Sequence, residues 1–505
     1  MQKQILALRG KGGYRQYRIP AMAVTPTGRL IAIYDGRADL DDLPGPIDLL
    51  IRTSDDNGET WSNQKVFRSG EGYEGFGDAS ILVDPFKERI IVIYQATKLA
   101  GFFESKAGSD LSDPHIAHVN ISISDDDGKT WDHRNITSQI KDPETLGIFA
   151  SSGMGSFIPN GKYKGRLLQT FLLRNRKELI AAIGFSDDNG DTWKLGARIP
   201  NGNESKAIGL NDGTVLVHSR ATPYRIRSRS IDGGLTLESS APDFGLSDPS
   251  DNGSLTLLQD GTLICTHNHD KTLRRYTVLK RSFDNGESWP ETVVVEFGSS
   301  AYSTSVELAN GNIGVLYERN GYNELVFCII EKAELQPKKA LHSQYLAVAL
   351  RYIKPKREMN LENVGQKVEV PDLSQFGENQ GKEIGEPIIK SGSIEIFTRD
   401  EYESMLGTPT SGLHVGEEMR FSLSFVNSGQ DSLHGFKLES NFSGVISREE
   451  TLLPGQLLKF MDLRKIITEE DLKKNTLEIV FSWSAANANG EKIIQLFSCA
   501  TGERL

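Results

Sequence analysis

Short runs of alternating apolar and polar residues recur along the first two thirds of the chain, separated by glycine, asparagine and aspartate. Alternation with a period of two is typical of β-strands that bury one face. Patterns with a helical period are scarce before residue 330. Clear examples of the alternation are RLIAIYDG (29–36), RIIVIYQA (89–96), TVLVHSR (214–220), GTLICTHNH (261–269) and NIGVLYER (312–319). The pattern predicts an all-β fold for this region.

A repeated eight-residue segment, Ser-x-Asp-x-Gly-x-Thr/Ser-Trp, occurs between these runs. Its aspartate can accept hydrogen bonds from backbone N–H groups, its glycine allows positive φ, and its tryptophan can pack beneath the turn. The segment therefore predicts a β-hairpin turn. The five copies, which we call boxes 1 to 5, are SDDNGETW (54–61), SDDDGKTW (124–131), SDDNGDTW (186–193), SIDGGLTL (230–237) and SFDNGESW (282–289).

A calcium-binding loop is the alternative interpretation of the acidic box 2. An EF-hand loop has an acidic or amide side chain at its first position, glycine at its sixth and glutamate at its twelfth. With Gly128 as the sixth residue, the first and twelfth positions are Ile123 and Arg134. The EF-hand pattern therefore fails, and a structural role is predicted for the boxes.

The spacing of the boxes predicts a repeat architecture. Successive box serines are 44 to 70 residues apart, which suits a four-stranded β-propeller blade with insertions of variable length. The pattern continues until the composition changes after residue 330. We therefore predict a six-bladed β-propeller.

The composition and pattern of the last third of the chain predict a second domain. Residues 340–352 are apolar enough to pack onto the propeller, whereas 353–390 are polar, charged and rich in glycine. Alternating runs return from residue 391 and favour a smaller, immunoglobulin-like β-sandwich. The predicted domains are a propeller at 1–352, a linker at 353–390 and a sandwich at 391–505. The sandwich could be a spacer, or it could bind a carbohydrate or a partner; the sequence is compatible with both roles.

Composition and charge exclude several function classes. A length of 505 residues predicts more than one domain, and a net charge of −11 argues against general nucleic-acid binding. The sequence has no run of about 18 or more apolar residues, so it predicts no membrane span. The first residues, MQKQILALRGKGG, lack a signal peptide, so we expect either an intracellular protein or one whose signal peptide is missing from this sequence. The cysteines are too far apart to predict a disulfide framework.

The segment QYRIPAMAV (16–24) places Arg18 directly before Ile-Pro and a run of small apolar residues. Arginine is rarely fully buried unless it is paired. The YRIP sequence followed by five boxes resembles the sialidase (neuraminidase) superfamily, and in particular bacterial exo-α-sialidases with Asp boxes. The resemblance covers roughly residues 1–335. It implies a six-bladed propeller whose active site lies on the face opposite to the boxes.

The resemblance also implies a set of three arginines that bind the substrate carboxylate. Arg18 of YRIP matches the first. Arg220 follows Glu204 by sixteen residues and matches the second, and Arg274, eight residues before box 5, matches the third. Arg275 stays open as the alternative third arginine, because the sequence LRRYT departs from the family pattern.

The remaining site residues follow from the same resemblance. Tyr302 in SSAYSTSVEL matches the catalytic tyrosine, and Glu204 in NESKAIGL matches the acid beside it. Asp42 is chosen as the acid/base over its acidic neighbours at 39 and 41 because DLPGP matches the family ending. Arg37 in DGR is assigned to the pocket and Asp78 in FGDAS to a loop that contacts the sugar.

The implied activity is that of a retaining exo-α-sialidase acting through a covalent glycosyl-tyrosine, without cofactor or metal. Tyrosine suits this substrate because a carboxylate nucleophile would be repelled by the carboxylate of sialic acid. A trans-sialidase with the same core and a non-catalytic sialic-acid-binding lectin are the alternatives. Sialylated glycans are the expected partners. A secreted, periplasmic or cell-surface location is expected, with the cytoplasm open as the alternative.

One further cluster could bind a metal ion. The sequence CTHNHD places Cys265, His267 and His269 on one face of a regular strand, and thiolate and imidazole are zinc ligands. A fourth ligand is not evident from the sequence. We therefore favour histidines that line an inner strand over a zinc site.

Overall fold

The structure of the chain is a computed structural model. It describes residues 1–38, 41–271 and 273–335. In the C-terminal third it describes 345–352, 393–396, 415–416, 418–427, 432–440, 444–448, 451–453, 457–466, 468–470, 478–486 and 492–500.

Strands are the main regular secondary structure of the first 335 residues, as the alternating pattern predicts. A short helix, α1 (Thr137–Ile140), follows the ninth strand, and a 3₁₀ turn (Lys332–Leu335) follows the last. In chain order the strands are β1 (Gln2–Leu8), β2 (Gln16–Val24), β3 (Leu30–Arg37), β4 (Asp48–Ser54), β5 (Lys65–Arg68), β6 (Gly75–Asp84), β7 (Arg89–Thr97), β8 (His118–Ser124), β9 (Asp132–Asn135), β10 (Gly147–Ala150), β11 (Gly153–Met154), β12 (Ser156–Phe157), β13 (Leu167–Arg174), β14 (Leu179–Ser186), β15 (Lys194–Ile199), β16 (Ser205–Gly209), β17 (Val215–Ser219), β18 (Tyr224–Ser230), β19 (Ser239–Ser247), β20 (Ser254–Leu257), β21 (Leu263–Asn268), β22 (Arg275–Ser282), β23 (Glu291–Glu307), β24 (Ile313–Arg319) and β25 (Glu324–Ile330).

These strands form separate sheets, each built from strands that are close in sequence. The sheet orders are β2-β3-β4-β5, β11-β6-β7-β8-β9, β10-β13-β14-β15 with β12 paired to β13, and β16-β17-β18-β19. Neighbouring strands in these sheets pair in antiparallel fashion, except that β11 pairs with β6 in parallel. The arrangement is propeller-like, and the prediction of an all-β fold is confirmed.

The remaining strands form a seven-stranded sheet of order β1-β25-β24-β23-β22-β21-β20. Its long strand β23 pairs with β22 over residues 291–299 and with β24 over residues 300–307. The first strand of the chain, β1, pairs with β25. The N-terminal strand is therefore held against the last strand of this region.

The core lies between neighbouring sheets rather than on one face of each. Strand β3 is buried along its whole length, and β7 is buried except at its first residue. One cluster joins Ile93 and Ile121 of the β6–β9 sheet to Phe171 and Ala182 of the next sheet. Because both faces of the middle strands contact a neighbouring sheet, these strands are apolar on both sides.

The boxes are hairpin turns, as predicted. In box 3, Ser186 Oγ accepts a hydrogen bond from Gly190 N (2.8 Å) and donates to Asp188 (2.8 Å). Asp188 also accepts from the backbone and hydroxyl of Thr192 at 2.9 and 2.6 Å. Gly190 has φ of 89°, and the indole of Trp193 donates to its carbonyl at 3.2 Å. The same serine, aspartate and glycine bonds recur in the other four boxes.

The strand order places box 1 and the start of β2 at opposite ends of the first sheet. Box 1 joins β4 to β5, and β2, β3 and β4 are antiparallel neighbours. The box therefore lies at the end of the sheet where β2 finishes. Arg18, near the start of β2, lies at the opposite end, as the sequence analysis expects.

The C-terminal third contains further strands, which are β26 (Tyr345–Tyr352), β27 (Ser393–Ile396), β28 (Glu418–Asn427), β29 (His434–Ser440), β30 (Gly444–Arg448), β31 (Leu457–Ile466), β32 (Glu478–Ala486) and β33 (Lys492–Ala500). They form two four-stranded sheets of order β27-β26-β28-β31 and β30-β29-β32-β33. The sequence analysis placed residues 345–352 at the end of the propeller; in the structure this strand, β26, pairs with β27 and β28. The predicted linker at 353–390 lies outside the described residues, and the immunoglobulin-like sandwich stays a prediction.

A helix that crosses a bilayer needs about 18 or more apolar residues. No helix of that kind occurs among the residues that the structure describes.

The box hydrogen bonds predict a measurable contribution to stability. Asp188→Ala removes the acceptor of three hydrogen bonds in box 3 and should lower the free energy of unfolding by about 1–3 kcal/mol. Lys194→Ala, at the exposed residue that follows the same box, is the control and should change it by less than about 0.5 kcal/mol. Urea unfolding of both variants measures the difference. Equal values for the two variants would contradict a structural role for the box aspartate.

Candidate active site

Tyr302 of β23 lies at the centre of the candidate site, with an exposed fraction of 2%. The guanidinium carbons of Arg274, Arg18 and Arg220 lie 5.1, 5.3 and 5.8 Å from its ring centroid. The three arginines come from distant parts of the sequence, so it is the fold that brings them together. Three cations this close repel one another unless carboxylates lie nearby.

Glu204 is the carboxylate that contacts the Tyr302 hydroxyl. The Tyr302 hydroxyl donates to Glu204 Oε2 at 2.6 Å, and Arg220 Nη1 donates both to the same oxygen and to the Tyr302 hydroxyl. The phenol thus has a base within hydrogen-bond reach and a cation at its oxygen. These are the two features that activate a tyrosine as a nucleophile.

Arg18 is fully buried and is held by a carboxylate that lies 300 residues later in the sequence. Its Nε and Nη2 donate to the two oxygens of Glu318 at 3.1 and 3.3 Å. The same carboxylate accepts from the backbone N–H of Ile19 at 2.9 Å, and Ile19 has φ of 60°, which is rare for a β-branched residue. The ring of Tyr322 lies 4.2 Å from the Arg18 guanidinium carbon. Arg18 therefore has the partners that a buried arginine requires.

Arg274 contacts residues of the site, and its neighbour Arg275 bonds to a carboxylate of its own. Arg274 Nη1 donates to the Tyr322 hydroxyl and Nη2 to the Ser250 carbonyl, both at 3.0 Å. Its Nε lies 3.7 Å from Asp251 Oδ1. Arg275 Nε instead donates to the Asp270 carboxylate at 2.5 Å. Of the two arginines considered from the sequence, Arg274 is the one beside Tyr302.

A second group of site residues surrounds Arg37 at the end of β3. Arg37 Nε and Nη2 donate to Asp35 at 3.1 and 2.8 Å, and Nη1 donates to Asp42 Oδ1 at 2.6 Å. Asp35 is fully buried, whereas the Asp42 side chain is 32% exposed. Burial raises the pKa of Asp35 to about 6, and Arg37 opposes that shift. Asp42 is thus the carboxylate of this group that solvent or a ligand can reach.

Asp78 lies beside this second group. It has φ of 56°, and its backbone N–H donates to Asp35 Oδ1 at 3.2 Å. Burial, together with the negative charge of Asp35, raises the pKa of Asp78 well above its ordinary value. The two groups meet where Arg18 of β2 pairs with Asp35 of β3 in the antiparallel ladder.

The structure thus gathers the predicted residues into two adjoining groups. Sequence reasoning missed the buried polar residues that hold them, which are Asp35, Asp251, Asn252, Glu318 and Tyr322. One signal was present: Asp35 in IAIYDGR and Glu318 in GVLYER are charged residues that end apolar strands. A charge at that position in a propeller strand indicates the rim or the site.

The cysteine and histidine cluster contains side chains that contact one another. Cys265 Sγ lies 3.9 Å from His267 Nδ1, and His267 Nε2 lies 3.4 Å from His269 Nδ1. Burial lowers the pKa of His267 well below its usual range. Within the described parts of the chain, no group of three or more His, Cys, Asp or Glu side chains is arranged to hold a metal ion.

The geometry suits an anionic ligand and acid–base chemistry. Guanidinium groups bind carboxylates through paired, charged hydrogen bonds, and three of them face one ring here. The Tyr302–Glu204 pair can exchange a proton. Asp42 supplies a second, more exposed carboxyl group. Chemically, these groups could serve as an anion site, a nucleophile with its base, and a separate acid.

The Arg18–Glu318 pair predicts a large effect on stability. Glu318→Ala leaves a buried guanidinium without its carboxylate and should lower the free energy of unfolding by about 3–5 kcal/mol. Glu318→Gln keeps one acceptor and should cost less. Urea unfolding of both variants gives the comparison. A loss below about 1 kcal/mol for Glu318→Ala would show that the pair does not hold Arg18.

Comparison with known proteins agrees with this arrangement. A family model described as a BNR repeat-like domain matches residues 28–315. The sialidase of Micromonospora viridifaciens is 37% identical over 334 residues, which cover 63% of this chain and 52% of that protein. The chain therefore spans about half the length of this curated relative.

Solved structures show the same fold. A Hadza microbial sialidase matches with a TM-score of 0.57 at 25% identity, covering 64% of this chain and 66% of that one. A leech intramolecular trans-sialidase matches with a TM-score of 0.59 at 17% identity, covering 66% and 71%; at this identity the likeness concerns the fold alone. Because the family model covers more than half of the sequence and the relatives agree with it, the chain belongs to the sialidase superfamily.

Proposed function

We propose that the protein is a retaining exo-α-sialidase that hydrolyses terminal sialic acids of glycoproteins, glycolipids or oligosaccharides. One observation carries the proposal: three guanidinium groups surround a tyrosine whose hydroxyl donates to a buried glutamate. Membership of the superfamily supports the same activity, and the curated relative from Micromonospora viridifaciens is a sialidase.

The arginines explain how an acidic protein would bind an acidic sugar. Sialic acid has a carboxylate on its anomeric carbon, next to the bond that is cleaved. Arg18, Arg220 and Arg274 would bind this carboxylate and place the anomeric carbon near Tyr302. Their charge would also overcome locally the net charge of −11.

The first chemical step would form a covalent intermediate. Tyr302 passes its proton to Glu204, and the phenolate oxygen bonds to the anomeric carbon while the bond to the leaving sugar oxygen breaks. Asp42 donates a proton to that oxygen. A neutral phenol approaches the anionic substrate without the repulsion that a carboxylate nucleophile would meet.

The second step would release the sugar. Asp42, now ionised, takes a proton from water, and the water oxygen bonds to the anomeric carbon as the bond to Tyr302 breaks. Glu204 returns its proton to the phenolate. Two inversions give net retention of configuration.

Two alternative functions would use the same site residues but give a different product, or none. A trans-sialidase would use the same groups with a sugar hydroxyl in place of water, and an intramolecular trans-sialidase shares the fold. A lectin would bind sialylated glycans without cleaving them. The direct contact of Tyr302 with Glu204 favours catalysis, because binding alone requires no paired nucleophile and base.

We also propose that the propeller has six blades. The division of β23 between β22 and β24 supports counting the seven-stranded sheet as two four-stranded blades that share this strand. With the other four sheets, this gives six. The C-terminal strands would form a separate accessory domain.

The proposed substrates also bear on location. Sialylated glycoproteins and glycolipids are displayed outside the cytoplasm, so we propose a secreted, periplasmic or cell-surface enzyme.

Product analysis tests the proposed activity. The full chain is incubated with α2,3-, α2,6- and α2,8-linked sialosides, and NMR follows the released sugar. Hydrolysis with retention should give free sialic acid first as the α-anomer. An intramolecular or transferred product would identify the trans-sialidase, and binding without any product would identify the lectin.

Tyr302→Phe tests the nucleophile. The variant should lose turnover by about a thousandfold or more, because no oxygen remains to bond to the anomeric carbon. Binding of a sialic acid glycal, measured by calorimetry, should be largely unchanged because the arginines remain. Turnover near the wild-type rate would remove Tyr302 from the mechanism.

Substitution of the two adjacent arginines tests the carboxylate site. Arg274→Ala should lower kcat/KM by about 100-fold, because a charged hydrogen-bonding partner of the substrate is lost. Arg275→Ala, the matched control, should change it by less than about threefold. Thermal melts show whether each variant is folded. Equal small effects would mean that Arg274 is not the third arginine.

A further inference from the structure

A buried lysine follows the proposed base, Glu204, by two residues in the sequence. The mechanism above does not use it. Lys206 is the second residue of β16 and is almost fully buried. Glu204, Lys206 and Ile208 alternate onto one face of the strand. Ile208 lines an apolar cavity of about 250 Å³. The face therefore changes from apolar to charged at Lys206, directly next to the proposed active site.

The lysine has few partners for a buried charge. Its Nζ donates to Asn252 Oδ1 at 2.6 Å and lies 3.5 Å from the Ser205 carbonyl, and within the described parts of the chain it forms no salt bridge. Space for the ammonium depends on Gly153, where a Cβ atom would lie 3.3 Å from Lys206 Cε. A lysine in this position costs stability that an apolar side chain would not. A functional role for Lys206 would account for this cost.

Asn252 connects this lysine to the proposed base. Its Nδ2 donates to Glu204 Oε1 at 3.1 Å and to Ser152 Oγ at 2.9 Å. The ammonium of Lys206 can only donate, so it requires the amide oxygen of Asn252 on its side. The opposite amide orientation would place the NH₂ group against the ammonium and the oxygen against the carboxylate. The lysine thus dictates that an N–H faces Glu204.

We propose that Lys206 is a positioning residue that acts through Asn252 on Glu204. The amide occupies Glu204 Oε1, so Oε2 is left for the Tyr302 hydroxyl and Arg220. The orientation of the carboxylate, and the oxygen that receives the phenol proton, are then fixed before substrate binds. This inference rests on the proposed sialidase function.

The charges around Lys206 give the expected pH effect. Burial, together with Arg225 and Arg220, lowers the pKa of Lys206 to about 7, whereas Glu204 and Asp251 raise it. The attraction is mutual, so Lys206→Met would take a stabilising positive charge away from the proposed base. The acidic limb of the kcat/KM profile should move to higher pH.

Lys206→Met tests the inference with a side chain of similar length. It should lower kcat by about 10- to 100-fold, leave KM within about threefold, and shift the acidic limb upward by about 0.5–1 pH unit. The thermal midpoint should stay the same or rise, because a buried charge is removed. Lys141→Met is the matched control: Lys141 is also buried with its pKa lowered to about 8, but it bonds to the Lys106 carbonyl. It should leave kcat and the pH profile unchanged.

Asn252→Leu and the double variant show whether the lysine acts through the amide. Asn252→Leu should reproduce the loss in kcat, and Lys206→Met/Asn252→Leu should add little to it. Additive losses, or a Lys206→Met variant with wild-type kcat and pH profile, would overturn the inference alone. A wild-type protein that cleaves none of the sialosides would overturn the proposed function and this inference with it.

Discussion

The site depends on the balance between three guanidinium groups and the buried carboxylates that hold them. Arg18, Arg220 and Arg274 surround one phenol ring within 6 Å, although like charges in a poorly solvated place repel strongly. Glu318 and Glu204 bond directly to two of the arginines, and Asp251 lies beside the third. Without these carboxylates the arginines could not stay buried and aimed at one point before an anionic sugar arrives.

The fold brings these arginines and carboxylates together because many strands have one end at the candidate site. Antiparallel sheets with apolar middle strands pack face to face, so their interiors are rigid, while their ends are free to present polar groups. The residues at the start of β2, before β16 and within β23 meet at the end opposite to the boxes. The boxes hold the other end with repeated hydrogen bonds. The turns that stabilise the sheets and the residues of the candidate site thus lie at opposite ends of the sheets.

Local patterns in the sequence predicted the repeated elements well, because each box closes on itself within eight residues. The alternation predicted the strands, and the YRIP segment with the five boxes indicated the site arginines. The partners of these arginines could not be predicted in this way. Glu318 bonds to Arg18 across 300 residues, and Asn252 reaches Glu204 across 48. Such contacts depend on how the sheets are arranged around their axis, and one sequence does not contain that information.

Identification of the atom that bonds to the sugar is the most direct test of this account. The full chain is treated with a 3-fluoro sialosyl fluoride, whose fluorine substituents slow release of the intermediate more than its formation, then quenched and digested for mass spectrometry. The account predicts one sialyl adduct, on the peptide that contains Tyr302. An adduct on Glu204 or Asp42, or full hydrolytic activity with no covalent adduct under any quench, would contradict it.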